Sequence, residues 1–292
     1  MARSKSNPSD PYAVITARIV HLLEQGTVPW RKPWQSVAPQ NLISRHAYRG
    51  INPFILSCSG FGSPFWLTFK QAKQLGGHVR IGETASPVVF WKVFPKEVET
   101  EDGEKETVNL PVLRRWSVFN VEQCEGIPSE RIPDLTPKPF KPVEKAERIV
   151  KDMPQAPAIK HGATGAWYEP RADLVRMPDP GHFDPAECYY STLFHELTHS
   201  SGHGSRLSRP TLKQMARFGS PDYSQEELVA EMGAAFLCGE SGLEPAVIEN
   251  QAAYISGWLN RLKGDPRLVV IAAAQAQKSA DFILNRQPQQ SH

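Results

Sequence analysis

The segment STLFHELTHSSGH, residues 191–203, places three histidines and one glutamate within thirteen residues. Side chains four positions apart lie on one face of an α-helix, so His195 and His199 would point the same way, one turn apart. Glu196 would lie about 100° around the helix, where it can reach a water near a bound ion without binding the ion itself. This is the H-E-x-x-H spacing of zinc hydrolases, and it predicts a metal site with a general base.

The alternative interpretation is a polar helix whose histidines are solvated or hydrogen-bonded in the interior. The surrounding sequence favours the metal site, because apolar neighbours such as Phe194 and Leu197 can bury the helix. Asp184 is a candidate N-cap with Pro185 at the first helical position, and Gly202 is a natural stop. We therefore expect the histidines to lie on a packed helix.

A catalytic zinc site needs a third protein ligand. In the metzincin pattern this ligand is a histidine six positions after His199, where this chain has Ser205. His203 follows a helix-breaking glycine, so we expect it to contact a ligand residue or the substrate rather than the ion.

The better candidates for the third ligand lie in YSQEELVAEMGAAFLCGESG, residues 223–242. Ser224 and Glu227 have the spacing of a capping box at the start of a helix. Glu231 is embedded in the apolar stripe of that helix, near Leu228 and Ala235, and a buried carboxylate is costly unless it is paired or binds a metal. We predict Glu231 as the third ligand, with Glu227 as the rival.

The composition is that of a globular protein, with 292 residues and 40% hydrophobic content, enough for two domains. No stretch approaches eighteen apolar residues and the first residues lack a signal-peptide core, so we expect a cytoplasmic protein with no membrane contact. The four cysteines lie far apart without a C-x-x-C pair, which argues against a cysteine zinc site. The ion, Zn²⁺ or another divalent metal such as Mn²⁺, would belong to the histidines.

The charge is distributed unevenly along the chain. Residues 1–95 contain 11 Lys and Arg against 3 Asp and Glu, a net charge of +8, and the remainder contains 22 against 28, a net charge of −6. Five of the seven tryptophans fall within the first 116 residues. Single-stranded nucleic acid requires cations along its phosphates and aromatic rings under its bases, each stacked base contributing ~1–3 kcal/mol. We therefore predict that the first part of the chain binds single-stranded DNA.

The candidate DNA contacts lie in or beside the segments VPWRKPW, HAYRGIN and FWLTFKQAKQLGG. They are Trp30, Arg31, Lys32, Trp34, Arg45, Tyr48, Arg49, Lys70 and Lys73. We expect Trp30 and Trp34 on a loop near the DNA, because Pro33 between them disfavours a helix or strand, and Trp66 and Trp91 in the core. The alternative is that the rings are core and the lysines an ordinary solvated face.

The pattern of elements predicts an α+β chain with two domains. Residues 1–127 combine helices with strands, two of which flank a turn at Asp102 and Gly103. Residues 128–142 are rich in proline and are interpreted as a linker. Residues 143–292 are predicted to be mainly helical with a small sheet.

Four longer motifs together resemble the ArdC family of plasmid antirestriction proteins, whose relatives include the N-terminal part of some conjugative primases. The motifs are YRGINPFIL, FWLTFKQAKQLGGHVRIGETASPVVFWK, STLFHELTHSSGH and EELVAEMGAAFLC. The resemblance implies a single-stranded-DNA-binding N-terminal domain, a zincin-like metallopeptidase C-terminal domain, and protection of incoming plasmid DNA from host restriction during conjugation. It also implies His195, His199 and Glu231 as ligands and Glu196 as the base.

The predicted chemistry is peptide hydrolysis, in which the ion would polarise a water and a peptide carbonyl and Glu196 would carry the proton to the leaving amine. His203 or Tyr223 would stabilise the oxyanion, and the sequence does not decide between them. One alternative is a DNA-binding protein with a structural or vestigial metal site that occupies DNA or binds a host restriction subunit. Another is a DNA-tethered protease like the SprT group, which shares the string HELTH. The glutamate beside the first histidine favours chemistry, since a structural site needs no base.

Overall fold

The computed structural model describes residues 10–31, 37–99, 105–134, 142–183, 187–213, 221–243 and 251–286. Its helices are α1 (Pro11–Glu24), α2 (Asn52–Ser57), α3 (Phe69–Gln74), α4 (Pro142–Asp152), α5 (Glu187–Ser201), α6 (Pro210–Lys213), α7 (Pro221–Ser241), α8 (Gln251–Gly264) and α9 (Leu268–Ile283). Its strands are β1 (Gln40–Asn41), β2 (Phe65–Leu67), β3 (His78–Val79), β4 (Ser86–Glu99), β5 (Lys105–Asn120), β6 (Cys124–Glu125), β7 (Ala158–Lys160), β8 (Trp167–Glu169) and β9 (Leu174–Arg176). This is the α+β architecture that the sequence predicts, with the longer strands in the first part and mainly helices in the second.

The described strands form separate sheets in the two parts of the chain. In the first part β1, β2, β5 and β4 lie side by side in that order, and β3 pairs with β6. In the second part the order is β7, β9, β8, so β8 lies at an edge and runs antiparallel to β9. The second sheet is the small sheet predicted for the helical part.

The strands β4 and β5 form one long antiparallel hairpin, as their composition predicts. Its pairs run from Ser86 with Val118 at the base to Glu99 with Lys105. The turn predicted at residues 102–103 lies outside the described residues. Neither face of the hairpin is covered along its whole length, and this determines which aromatic rings are exposed.

The largest hydrophobic core is shared by the two parts of the chain. Helix α1 packs on α8 and α9, and Ile15 and Ile19 lie in the same core as Leu193 of α5 and Val269 of α9. The spacing of four between Ile15 and Ile19 places both on the face of α1 that meets these helices. The predicted domain boundaries, after residues 127 and 142, stay a prediction.

Trp30 lies in this shared core and not on a loop open to DNA, so that prediction is wrong. Residues Pro29–Arg31 form one turn of 3-10 helix, and the fully buried ring of Trp30 donates a hydrogen bond from Nε1 to Tyr254 Oη (2.9 Å). The ring also meets Trp258 edge to face at 6.1 Å. The neighbouring prolines disfavour a long helix, but one short turn is enough to insert the ring.

The other two tryptophan predictions have opposite outcomes. Trp66 of β2 is buried, as predicted. Trp91 of β4 is 37% exposed, so its prediction as a core residue is wrong. The apolar pattern around it is a strand pattern, but the hairpin extends beyond the helices that cover its base.

Candidate metal centre

Helix α5 carries the three residues of the H-E-x-x-H pattern on a packed scaffold. Leu193, Phe194 and Leu197 are buried, as the metal-site interpretation requires. The predicted N-cap residues 184–185 lie outside the described residues, and α5 begins at Glu187. The helix that bears the histidines is therefore held in the core by its apolar side.

Helix α7 approaches α5 closely because it has a glycine at the contact. A Cβ atom added at Gly233 would lie 2.6 Å from Thr198 Oγ1 of α5, which is closer than real Cβ atoms come. Thr198 itself is fixed by a hydrogen bond from its hydroxyl to the carbonyl of Phe194 (2.7 Å). The close packing brings the acidic residues of α7 opposite the two histidines.

Three potential ligand side chains converge between these helices: His195, His199 and Glu227. The two Nε2 atoms lie 3.1 Å apart, and each lies 3.6 Å from an oxygen of the Glu227 carboxylate. In a tetrahedral zinc site with bonds of ~2.0–2.1 Å, neighbouring ligand atoms are separated by about 3.3 Å. The spacing and the chemistry of these donors fit a divalent ion.

The structure groups Glu227, and not Glu231, with the histidines. Glu231 lies one turn further along α7, and its charge acts on His195 from there. The buried-charge argument points to the correct helix, but residues four apart share a face, so spacing alone does not separate the two carboxylates. Glu231 as a ligand stays a prediction, and Glu227 is the better-placed candidate.

The charge state of His195 is set by the carboxylates around it. Burial lowers the pKa of His195, but its hydrogen bond with Glu227 and the negative charges of Glu196 and Glu231 outweigh burial and raise the pKa to about 9. Without a metal the imidazole therefore holds a proton at neutral pH. A bound ion replaces that proton, because a metal ligand must be deprotonated.

His199 is oriented by a carboxylate behind it. Its Nδ1 lies 3.2 Å from Glu226 Oε1, so Nδ1 carries the proton and Nε2 presents its lone pair to the centre. Burial would raise the pKa of Glu226, but hydrogen bonds with His199 and Arg209 hold that pKa well below its usual range. Glu226 is therefore an ionised acceptor that fixes the ring of His199.

The buried guanidinium of Arg209 holds Glu226 in turn. Its Nη2 donates to Glu226 Oε1 (2.5 Å) and its Nε donates to Oε2 (3.1 Å). Further donations reach Ser201 Oγ (2.7 Å) and Ser279 Oγ (2.8 Å), so one side chain ties α5, α7 and α9 together. Gly202 makes room for it, since a Cβ there would lie 2.8 Å from the guanidinium.

Sequence reasoning missed both Glu226 and Arg209. Glu226 directly precedes Glu227 on α7, so its place in this acidic pair could have indicated a role at the site. Arg209 carries no such signal, because its burial depends on helices that meet only in the folded chain.

A cleft of about 450 Å³ opens over the centre. Its lining consists of Ala166, Trp167, Tyr168, Pro170, His195, Glu196, His199, Thr211, Leu212, Glu226 and Glu227. Glu196 is nearly buried and reaches the cleft beside the ligands, as the helix geometry predicts. Strand β8 contributes Trp167 and Tyr168 to the lining, and Trp167 is 43% exposed. The candidate base, the candidate ligands and strand β8, which lies at the edge of its sheet among the described strands, therefore share one cleft.

Of the two predicted oxyanion partners, His203 does not belong to this lining. His203 contacts Ser205 through Nδ1 (2.8 Å) beyond the end of α5. Tyr223 belongs to the first turn of α7, and its side chain lies outside the described residues. Tyr168 lines the cleft, but its hydroxyl donates to Asp173 Oδ1 (2.8 Å).

Some of the predicted DNA contacts are buried, and others lie outside the described residues. Tyr48 is buried, which raises its pKa to about 12 against the lowering effect of a hydrogen bond with Asn41. A buried ring cannot stack on a base, so Tyr48, like Trp30, is wrong as a stacking residue. Lys32 and Trp34 lie outside the described residues, as does the side chain of Arg31.

Each remaining predicted cation forms an ion pair, lies over an aromatic ring or is exposed. Arg49 pairs with Asp281 of α9. Arg45 lies over the ring of Phe65 at 5.2 Å, and Lys73 lies over the ring of Phe69 at 5.4 Å. Lys70 is exposed. As DNA contacts these four residues stay predictions.

Within the part of the chain that the structure describes, no helix combines the length and the apolar character needed to span a bilayer.

Two family models match the chain. Residues 9–119 match the N-terminal domain of anti-restriction factor ArdC, and residues 144–275 match a zincin-like metallopeptidase domain. The second match contains α5 and α7, and thus the whole group of candidate ligands.

Similar proteins include two DNA primases TraC of Escherichia coli, which are 36% and 35% identical over 92% and 95% of this chain. The chain spans only 26% and 20% of their length. The uncharacterized protein y4eC of Sinorhizobium fredii is 33% identical over 96% of this chain and 94% of its own length.

Two crystal structures of antirestriction protein ArdC from plasmid R388 share the fold. The metal-free structure has a TM-score of 0.75 at 38% identity and covers 95% of this chain and 99% of its own. The Mn(II)-bound structure has a TM-score of 0.73 at 37% identity and covers 94% and 97%. With the converging ligands of this chain, the Mn(II)-bound relative confirms a divalent metal as the cofactor, and the choice between zinc and manganese stays a prediction.

Proposed function

Because the chain belongs to the ArdC family of antirestriction proteins, we propose that it binds single-stranded DNA, hydrolyses peptide bonds and protects incoming plasmid DNA from host restriction during conjugation. We assign DNA binding to residues 1–127 and peptide hydrolysis to residues 143–292, joined by residues 128–142. The two family matches, at residues 9–119 and 144–275, support this division. A cytoplasmic location is part of the proposal.

One observation carries the peptidase proposal: the candidate base and the converging ligands face one cleft. His195, His199 and Glu227 would hold the divalent ion. A bound divalent ion supplies Lewis acidity toward a water and a substrate carbonyl. Glu226 and Arg209 keep the ring of His199 aimed at the centre, which is the arrangement that supports metal-ligating histidines generally.

Glu196 performs the proton transfers in this proposal. It accepts a proton from the attacking water and donates it to the amine that leaves. Its carboxylate is nearly buried in the cleft beside His195, so it is positioned for the water without being one of the grouped ligands.

The edge strand β8 gives the cleft a means to hold a substrate. An extended peptide can add to an exposed strand edge through backbone hydrogen bonds. Among the described strands β8 pairs only with β9, and Trp167 and Tyr168 of β8 line the cleft. The substrate we propose is therefore an extended protein segment, such as one in a host restriction-modification subunit.

A DNA-binding protein with a structural metal site is the second candidate. Glu196 in the cleft favours catalysis over this candidate, because a structural metal site needs no base beside its ligands. The two structures of ArdC from plasmid R388 match 95% and 94% of this chain. The same comparison favours an ArdC-like role over a SprT-like repair protease.

The test is Glu196→Gln, which removes the base and keeps the shape of the side chain. Conjugation into a restricting recipient is measured beside the Mn²⁺ and Zn²⁺ content of the purified variant. We expect the metal content to stay at the wild-type level and the protection of plasmid DNA to be lost. A variant that binds metal and protects fully would overturn the peptidase mechanism and leave DNA occupation as the mode of action.

A further inference from the structure

The β4–β5 hairpin projects beyond both cores that hold its base. Val88 and Val118 are buried on one face against Trp66, and Val89 and Leu113 are buried on the other face in the shared core. Apart from the buried Leu113 and the half-buried Phe94, the side chains of residues 90–94 and 110–116 are exposed. We call residues 90–94 and 110–116 the hairpin arm.

One face of the hairpin arm combines aromatic and basic side chains. Residues two apart in a strand share a face, and the pairing of Phe90 with Arg114 places Lys92, Phe94 and Trp116 on that same face. Phe90 and Trp116 meet edge to face at 5.6 Å and are still 42% and 40% exposed. Phe90 also packs on the buried ring of Tyr48 at 6.0 Å, so these contacts orient the two rings while much of their surface stays accessible.

The cations of this face lie against an aromatic ring. The guanidinium of Arg114 is 4.8 Å from the centre of Phe94, and Lys92 Nζ is 5.5 Å from the same ring. Packing against one ring leaves the N–H groups of both cations free to meet an anion. None of the described side chains on this face of the arm is acidic.

We propose that this face of the hairpin arm is the surface that receives single-stranded DNA, with bases stacked on Phe90 and Trp116 and phosphates at Lys92 and Arg114. The inference rests on the proposed DNA binding and names its location. Exposed rings on a sheet that stack on unpaired bases, beside cations for the backbone, are a general solution for single strands. The net charge of +8 in residues 1–95 adds attraction for a polyanion.

A second copy of the chain is the competing occupant. Leu110 and Val112 on the same face are apolar and exposed, and such residues also suit a protein interface. The described side chains of this face include two cations and no acid, so the same face of a second copy would be repelled, and the charge favours DNA.

The test uses the full-length protein and a fluorescein-labelled dT20 oligonucleotide, with binding measured by anisotropy over a range of salt concentrations. A ring variant, Phe90→Ala with Trp116→Ala, should bind about 5- to 150-fold more weakly for each base that no longer stacks, at every salt concentration. A charge variant, Lys92→Gln with Arg114→Gln, should also flatten the salt dependence, by about 0.7 in log K against log salt for each phosphate that is no longer neutralised.

Trp91→Ala is the matched control, because this ring is exposed to a similar degree, 37%, but lies on the opposite face of the same hairpin arm. It should bind dT20 like the wild type. Circular dichroism and metal content identify any variant that has failed to fold. If the ring variant does not fold, the single substitution Phe90→Ser takes its place in the binding assay.

The outcomes separate the two proposals. Wild-type protein that does not bind dT20 would contradict the proposed DNA binding itself. If the wild type binds dT20 and the folded ring and charge variants bind it equally well, the hairpin arm is not the DNA-binding surface. Variants that convert a wild-type dimer to a monomer and leave dT20 binding unchanged would assign the arm to a second copy and also overturn the inference.

Discussion

The metal centre and the hairpin arm hold their side chains in opposite ways. At the centre, His199 is fixed by Glu226, and Glu226 is fixed by the buried Arg209, so three helices determine one ring. On the arm, Phe90 contacts only the rings of Trp116 and Tyr48 among the described aromatic side chains, and both Phe90 and Trp116 remain partly open to solvent. A catalytic site requires fixed geometry, and a surface for a flexible polymer requires accessible rings and charges. Substitutions should therefore have large effects on stability at the centre and effects on binding alone at the arm.

The largest loss of stability should follow Arg209→Met. This change leaves the Glu226 carboxylate buried without its cation, and breaking a buried ion pair costs about 3–5 kcal/mol. The free energy of unfolding from urea denaturation is the measurement. Arg286→Met is the control, since the exposed pair of Arg286 with Glu240 should contribute about 0–1 kcal/mol. Equal losses of unfolding free energy in the two variants would contradict the stabilising role of the buried pair of Arg209 with Glu226.

Substitution of the candidate third ligand should have the next largest effect, in this case on metal affinity. We expect Glu227→Gln to weaken Mn²⁺ and Zn²⁺ binding by more than the roughly 10- to 100-fold typical of residues that support a ligand. Glu231→Gln should stay within that range, because its charge acts on His195 from one turn away. Chelator competition on both variants measures the affinities. A larger loss of metal affinity in Glu231→Gln than in Glu227→Gln would show that Glu231 is the third ligand, as the buried-charge argument predicts.

Metal affinity should rise with pH, because the ion displaces the proton of His195. With the pKa raised from 6.5 to about 9, apparent affinity should increase by about tenfold per pH unit between pH 7 and 9 and level off above. In the metal-free protein the raised pKa stabilises the fold, fully below pH 6.5, and this contribution is lost as pH rises through 9. Competition with a chelator across this range tests the first statement, and affinity that is flat from pH 7 to 9 would contradict it.

The centre was more predictable from sequence than the arm, for a physical reason. His195, Glu196 and His199 lie on one helix, so their relation follows from helical geometry over five residues. The third ligand lies on another helix, and choosing between Glu227 and Glu231 needs the register between α5 and α7. Arg209 had no local signal at all.

The first part of the chain shows the same limit more clearly. Charge and aromatic content indicate a partner, but they do not reveal which rings are covered. Trp30 has the sequence surroundings of a loop residue and is buried by a single turn of helix, whereas Trp91 has those of a core residue and is partly exposed on the hairpin. Exposure depends on which elements cover a strand, and that is decided only by tertiary packing.

The most direct test of the account is to measure both activities on the same two variants. Glu227→Gln and the ring variant Phe90→Ala with Trp116→Ala are each assayed for dT20 binding and for Mn²⁺ content. We predict that Glu227→Gln loses its metal and binds dT20 like the wild type, and that the ring variant keeps its metal and binds dT20 at least about fivefold more weakly. Loss of DNA binding in Glu227→Gln, or loss of metal in a folded ring variant, would contradict the separation of the two sites.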